Sequence, residues 1–196
     1  MLVQYRRLIA EVDCAALELV ECYGPYLRCQ PGCRSCCRHD LSVFEVESAS
    51  VRRAFQELPD DLKRCITRQA ERVSERRAEG KQVDCPFLVR CRCSIYPLRP
   101  IICRTQGLPL LLTTDEGEQA VDFCPINFSE PGEVGTLDPD HLLPLDQLNL
   151  KLAAANLGYC RAAGIKLSES GRRTSMSEII LSQPGAMEYL QSEPLR

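Results

Sequence analysis

The chain has 196 residues, enough for one domain with a sizeable hydrophobic core. Its formal net charge of -3 and pI near 5.5 give no global basicity that would draw it onto nucleic acid or an anionic membrane. Arg6, Arg7, Glu11 and Asp13 interrupt the N-terminal apolar residues, which argues against a signal peptide or a membrane span and for a soluble, cytoplasmic protein. Thirteen cysteines are an odd and heavy load, and in a reducing compartment such thiols serve as ligands or catalytic groups more often than as disulfides.

From Leu2 to Tyr23, Leu8, Val12, Ala15, Leu19 and Cys22 recur at intervals of three and four, which predicts a helix closed by Gly24-Pro25 with Cys22 on its buried stripe. The next stretch, Cys29-Gln-Pro-Gly-Cys33-Arg-Ser-Cys36-Cys37-Arg-His39, sets four thiols and an imidazole among turn residues too polar to supply a core. Pro31-Gly32 favours a turn bringing Cys29 towards Cys33, and the gap to Cys36 suits two sulfurs gripping one centre. Cys37 is the odd member: adjacent side chains tend to point apart, so it and Cys36 are expected to serve different metals, or one of them to face the core.

Ser42 with Glu45 reads as a capping box opening a second helix from Val43 to Leu58, and Pro59-Asp60-Asp61 opens a third that Gly80 ends. Arg64, Arg68, Arg72 and Arg76 form a stripe on that helix, largely neutralised by Glu71, Glu75 and Glu79, so a solvated face is the expectation. Phe87-Leu88-Val89 and Ser94-Ile95-Tyr96 are expected to pair as a small hairpin, with Tyr96 packed between the cysteine loops. Pro100 sits in the first turn of a short helix that carries Cys103. A second hairpin joins 108–112 to 119–123 through Asp115-Glu116-Gly117 and delivers Cys124.

Residues 127–140 read as a connector, Pro144 opens a helix running to about Ala163, and Ser175 with Glu178 caps a short helix stopped by Pro184-Gly185. The last dozen residues are expected to be loosely held. The fold class that follows is mainly α with small β-hairpins, the helices packed around a cysteine-rich metal-binding centre. Residues 1–126 form the cysteine-cluster domain, and 127–196 a helical extension packed on the same domain.

Thiolates are soft donors that suit zinc, iron and iron–sulfur clusters, and structural zinc or a [4Fe–4S] cluster each takes four of them. Cys29, Cys33, Cys36 and Cys37 offer one set, and Cys85, Cys93, Cys103 and Cys124 another. Sets drawn across the two groups are equally open. Arg99 and Arg104 flank Cys103 as candidate donors to its sulfur or to an anionic substrate. His39 is a lesser candidate ligand, since zinc sites mix His with Cys.

These cysteines, with Cys85-Pro86-Phe87-Leu88, Cys93-Ser94-Ile95-Tyr96, Arg99-Pro100 and Cys103-Arg104, resemble the CxxCxxCC or YkgJ-like family, a group of zinc- or iron-chelating domains. The resemblance runs from about Cys29 to Cys124, with three residues rather than two in the first gap. It implies chelation of zinc or iron, and a related, longer flagellin lysine methylase adds an iron–sulfur centre to the cofactors considered. The sequence carries no glycine-rich nucleotide fingerprint, so methyl transfer does not carry over. The leading expectation is a metal-binding protein whose ligand is a metal ion or cluster. An iron–sulfur enzyme acting on a protein or small molecule is the first alternative. The second is a zinc-stabilised adaptor with a protein partner, while nucleic acid is disfavoured by the acidic balance.

Overall fold

In the computed structural model, which describes residues 2–30 and 32–191, helix α1 runs from Val3 to Tyr23 and buries Tyr5, Leu8, Val12, Leu19 and Tyr23. Cys22 is exposed, contrary to its expected place on the stripe. Four residues on from Leu19, Tyr23 holds that position instead, its ring edge-on to Phe128 at 5.7 Å.

Strand β1 (Ser42–Phe44) precedes α2 (Glu45–Gln56) and α3 (Asp60–Ala78), and Gly80 at φ +69° lets the chain leave α3. The tiny hairpin β2 (Leu88–Val89) and β3 (Arg92–Cys93) leads to α4 (Ile101–Thr105), and β4 (Leu110–Thr113) then pairs with β5 (Gln119–Asp122). Strand β6 (Leu143–Pro144) runs parallel to β4 and opens α5 (Leu145–Ala162). Strand β7 (Arg173–Ser175), α6 (Met176–Leu181) and α7 (Ala186–Gln191) complete the described chain.

Mainly α with small sheets is therefore the architecture. Two local expectations need correcting. Ser42 caps no helix: it lies in β1 and pairs with Ser175 of β7, over a hundred residues away. The helix begins at Glu45, where Glu47 reaches back to the backbone N–H of Phe44 at 3.2 Å and Asn156 of α5 accepts from that of Val46 at 3.1 Å. The first hairpin is also tighter than expected. Arg90 and Cys91 turn it with φ of 50° and 60°, a two-residue geometry that matches strand twist and pairs Leu88 with Cys93. By contrast, the capping box of Ser175 and Glu178 forms at the start of α6, as its sequence implies. Helix α7 packs on α3, while 192–196, the rest of the stretch expected to be loose, lie outside the described residues.

Apolar burial falls into two clusters. One gathers the inner face of α1 with Ile101, Leu108, Phe128, Leu143, Leu148 and Leu152. The other gathers Val43, Val51, Phe55, Ile66, Phe87 and Ile95 with Met176, Ile179 and Ile180. The chain crosses from the second cluster, on which Cys85 and Cys93 pack, to the first between Ile95 and Ile101, just before Cys103 in α4. Among the described residues no helix is long and apolar enough to cross a membrane.

Candidate metal centre

The segment entering the site is fastened by one amide. Asn127 accepts from the backbone N–H of Arg28 at 2.8 Å and donates to the carbonyl of Gly107 at 2.7 Å, with its amide nitrogen 4.0 Å from the Cys29 sulfur. Gly107 adopts φ +93°, and a Cβ there would stand 3.3 Å from the Cys29 sulfur and 3.6 Å from Cβ of Cys124. A side chain there would crowd the Cys29 sulfur and the Asn127 amide, while Cys124 stands at ordinary contact distance. Arg28 adds a two-pronged ion pair to Glu133, at 2.7 and 2.9 Å, that ties the loop to the connector.

After Cys29 a tight turn closes from the Cys33 N–H to the Gln30 carbonyl at 2.9 Å, with Gly32 at φ +95°; Pro31 itself lies outside the described residues. A single turn of 3-10 helix, Ser35–Cys37, then carries the double cysteine. Its sulfurs do not diverge as expected from adjacent positions. They stand 4.0 Å apart. Two thiolates on one tetrahedral ion at Zn–S ~2.3 Å would be about 3.8 Å apart, so this spacing suits shared ligation.

The loop is stitched to the central segment by a backbone bond from the Cys85 N–H to the Cys37 carbonyl, 2.7 Å. Cys85 and Cys93 each receive a backbone N–H two residues on, from Phe87 and Ile95, a contact that favours thiolate. Downstream, Asp40 anchors the loop by accepting from the Ser177 N–H at 3.0 Å, the Ser177 hydroxyl at 2.5 Å and Arg77 at 3.1 Å.

The thiols close enough to feel one another's charge fall into two neighbourhoods. Cys36, Cys37, Cys85, Cys93 and Cys103 make the first, and Cys29, Cys33 and Cys124 the second, with Cys36 in range of both. Each neighbourhood draws on both cysteine groups of the sequence. Burial pushes Cys85 and Cys103 up to about 12 and raises Cys29 and Cys93, while the contact between the double cysteines raises Cys36 and lowers Cys37. A cation entering here would have to displace protons, as thiol ligands require. Among the described residues no three Cys, His, Asp or Glu side chains are yet drawn into a closed ligand set.

The remaining candidates are distributed as follows. The Arg99 guanidinium stacks on the ring of Tyr96 at 3.9 Å, and Tyr96, expected to be packed between loops, is 59% exposed. Arg104 engages all three nitrogens elsewhere, with both oxygens of Asp13 at 2.7 Å and with the carbonyls of Pro97 and Arg99, so it pins α4 to α1. His39 is exposed beside Arg38, Arg77 and Lys81 in a shallow pocket with no thiol in its lining. His141 pairs with Asp138 at 3.1 Å. Cys14, Cys22 and Cys91 are exposed, Cys65 is half-buried, and Cys160 is buried with its sulfur 3.8 Å from Asn156.

Residues 28–125, half of the chain, match the model of the CxxCxxCC family, described as a "putative zinc- or iron-chelating domain". The chain belongs to that family. Neither curated proteins nor solved structures gave a significant match. The CxxCxxCC segment begins at Arg28, the residue paired to Glu133, and ends beside Cys124, so it contains all eight candidate thiols. Asn127 and the Tyr5 side chain of α1 lie beyond it. Sequence reasoning passed over Asn127, Gly107 and Asp40, since their roles depend on partners that no local spacing announces.

Proposed function

We propose that the protein binds zinc or iron through two cysteine sets, one centred on Cys36, Cys37, Cys85, Cys93 and Cys103 and the other on Cys29, Cys33 and Cys124. The observation that carries this reading is the 4.0 Å approach of the Cys36 and Cys37 sulfurs, in a loop hydrogen-bonded to the Cys85 strand entry. Support comes also from the backbone N–H groups at Cys85 and Cys93 and from the glycine that makes room beside Cys29. Four of the five thiols of the first set would suffice for zinc, ferrous iron or a [4Fe–4S] cluster. The metal would hold the loops together and, if iron, give the centre a redox role. Arg99 stands at the rim of this set, whereas Arg104 contributes by positioning α4.

Metal content and the absorption spectrum of protein purified without oxygen test the reading. At least one zinc or iron per chain is expected, lost from the first set when Cys85 and Cys103 are both replaced by Ser, which leaves it three thiols, and kept in Cys65→Ser. A broad band near 400 nm would assign an iron–sulfur cluster, and colourless protein with stoichiometric zinc would assign zinc. Metal-free protein whose thiols all titrate as free would overturn it.

A further inference from the structure

Among the described residues, two buried donors beside α4 and the first cysteine set have nothing to bond. Tyr5 on α1 is 1% exposed and its hydroxyl has no partner, and the Nε of Arg99 is likewise buried without one. An unpaired buried polar group costs stability, so each needs a reason.

The surroundings supply one. The Tyr5 phenol is in charge range of three groups, Glu47, Arg104 and Cys103, and burial pushes its pKa up, so it remains a donor. Each oxygen of Glu47 accepts a backbone N–H, from Ile101 at 3.1 Å and Phe44 at 3.2 Å, and the Tyr5 hydroxyl bonds to neither. Arg104 has no acceptor to offer. The third group is the Cys103 sulfur, a weak acceptor as a thiol and a strong one as a thiolate, and it alone of the three gains acceptor strength when metal binds. Arg99 immediately precedes α4, and its charge reaches Cys36, Cys93 and Cys103. Its guanidinium is held in place by the Tyr96 ring.

We propose that Tyr5 and Arg99 are positioning residues whose free O–H and N–H are reserved for the thiolates of the metal-loaded centre, Cys103 foremost, and that they set how tightly it holds its metal. The inference rests on the metal-binding reading and adds a residue of α1, outside the family segment, to the centre. Apolar hosts charge heavily for concentrated thiolate, and outer donors of this kind offset part of that charge. Stability is given up in the metal-free chain and recovered in the loaded one.

The test compares the full-length parent, Tyr5→Phe and Arg99→Lys, each stripped of metal and titrated without oxygen with Co(II) and then Zn(II) against a chelator of known affinity. Thermal melting of each metal-free form is recorded alongside. Tyr5→Phe is expected to melt no lower than the parent when metal-free, yet to bind Co(II) about tenfold more weakly, with a shifted sulfur-to-cobalt absorption band. Arg99→Lys should weaken binding in the same direction. Unchanged affinity and band in both variants would overturn the proposal. So would a Tyr5→Phe chain that melts lower when metal-free but binds as the parent does, since Tyr5 would then serve only the fold. A parent that takes up neither ion would sink the metal reading itself and this proposal with it.

Discussion

Glu47 ties together two of the helices that frame the site. With 2% of its surface exposed, it accepts from the backbone N–H of Phe44 and from that of Ile101, and so joins the start of α2 to the start of α4. Glu47→Ala leaves both donors unmet and should cost about 2–4 kcal/mol in urea unfolding. Burial raises its carboxyl above the ordinary 4.5, against the lowering pull of the two N–H groups. The folded chain therefore binds more protons than the unfolded one between 4.5 and the raised value, and stability falls as pH rises through that window. Glu47→Gln should flatten this slope in unfolding curves recorded across it. A second residue-scale prediction concerns Gly107. Alanine there is strained at φ +93° and presses on the Cys29 sulfur at 3.3 Å, so Gly107→Ala should lower stability by about 1–2 kcal/mol and speed alkylation of Cys29. Mass spectrometry of iodoacetamide-treated protein would read the latter. Neither residue could be singled out from sequence: a glutamate inside a helix and a glycine after one look ordinary until their partners, 54 and 78 positions away along the chain, are brought in.

At the scale of elements, local signals decided well where the element closes on itself. The four-residue reach of α1, the Asp115-Glu116-Gly117 turn and the capping box of α6 all act within a few residues, and all formed where the spacing placed them, apart from the slip at Cys22. Strands β1 and β7 are three residues each and exist only because they find one another across the chain, which periodicity cannot announce. The same limit hid the anchoring of the cysteine loop. Asp40 reaches the first turn of α6, where it accepts from both the N–H and the hydroxyl of Ser177, with its own side chain 1% exposed. Asp40→Ala should remove a charge-assisted cap and a pairing with Arg77, costing about 2–3 kcal/mol and raising hydrogen exchange in α6 and in residues 35–40 together. Exchange rising in α6 alone would mean that Asp40 serves the helix and leaves the loop indifferent.

For the whole molecule, the placement of the thiols relative to the two apolar clusters matters more than their number. Cys85 and Cys93 pack against the cluster built on α2, α3 and α6, while Cys103 sits in α4, whose Ile101 belongs to the cluster of α1 and α5. The double cysteine touches both neighbourhoods through Cys36. A metal held by these residues would add a link between two cores that α2 already joins, with Val46 in one and Val51 and Phe55 in the other, and that Glu47 and Asn156 tie by hydrogen bonds. Binding free energies of structural zinc, on the order of 10–16 kcal/mol in finger peptides, rival the whole stability of a domain. Removing the metal, or replacing Cys36 and Cys103 together by Ser, should therefore loosen segments belonging to both clusters at once. Limited proteolysis of the parent with and without chelator would read this directly, with new cuts expected in 28–40 and in 84–107 appearing at the same rate. Cuts confined to 28–40 would assign the metal to the N-terminal loop alone, and the two cores would then be joined without it.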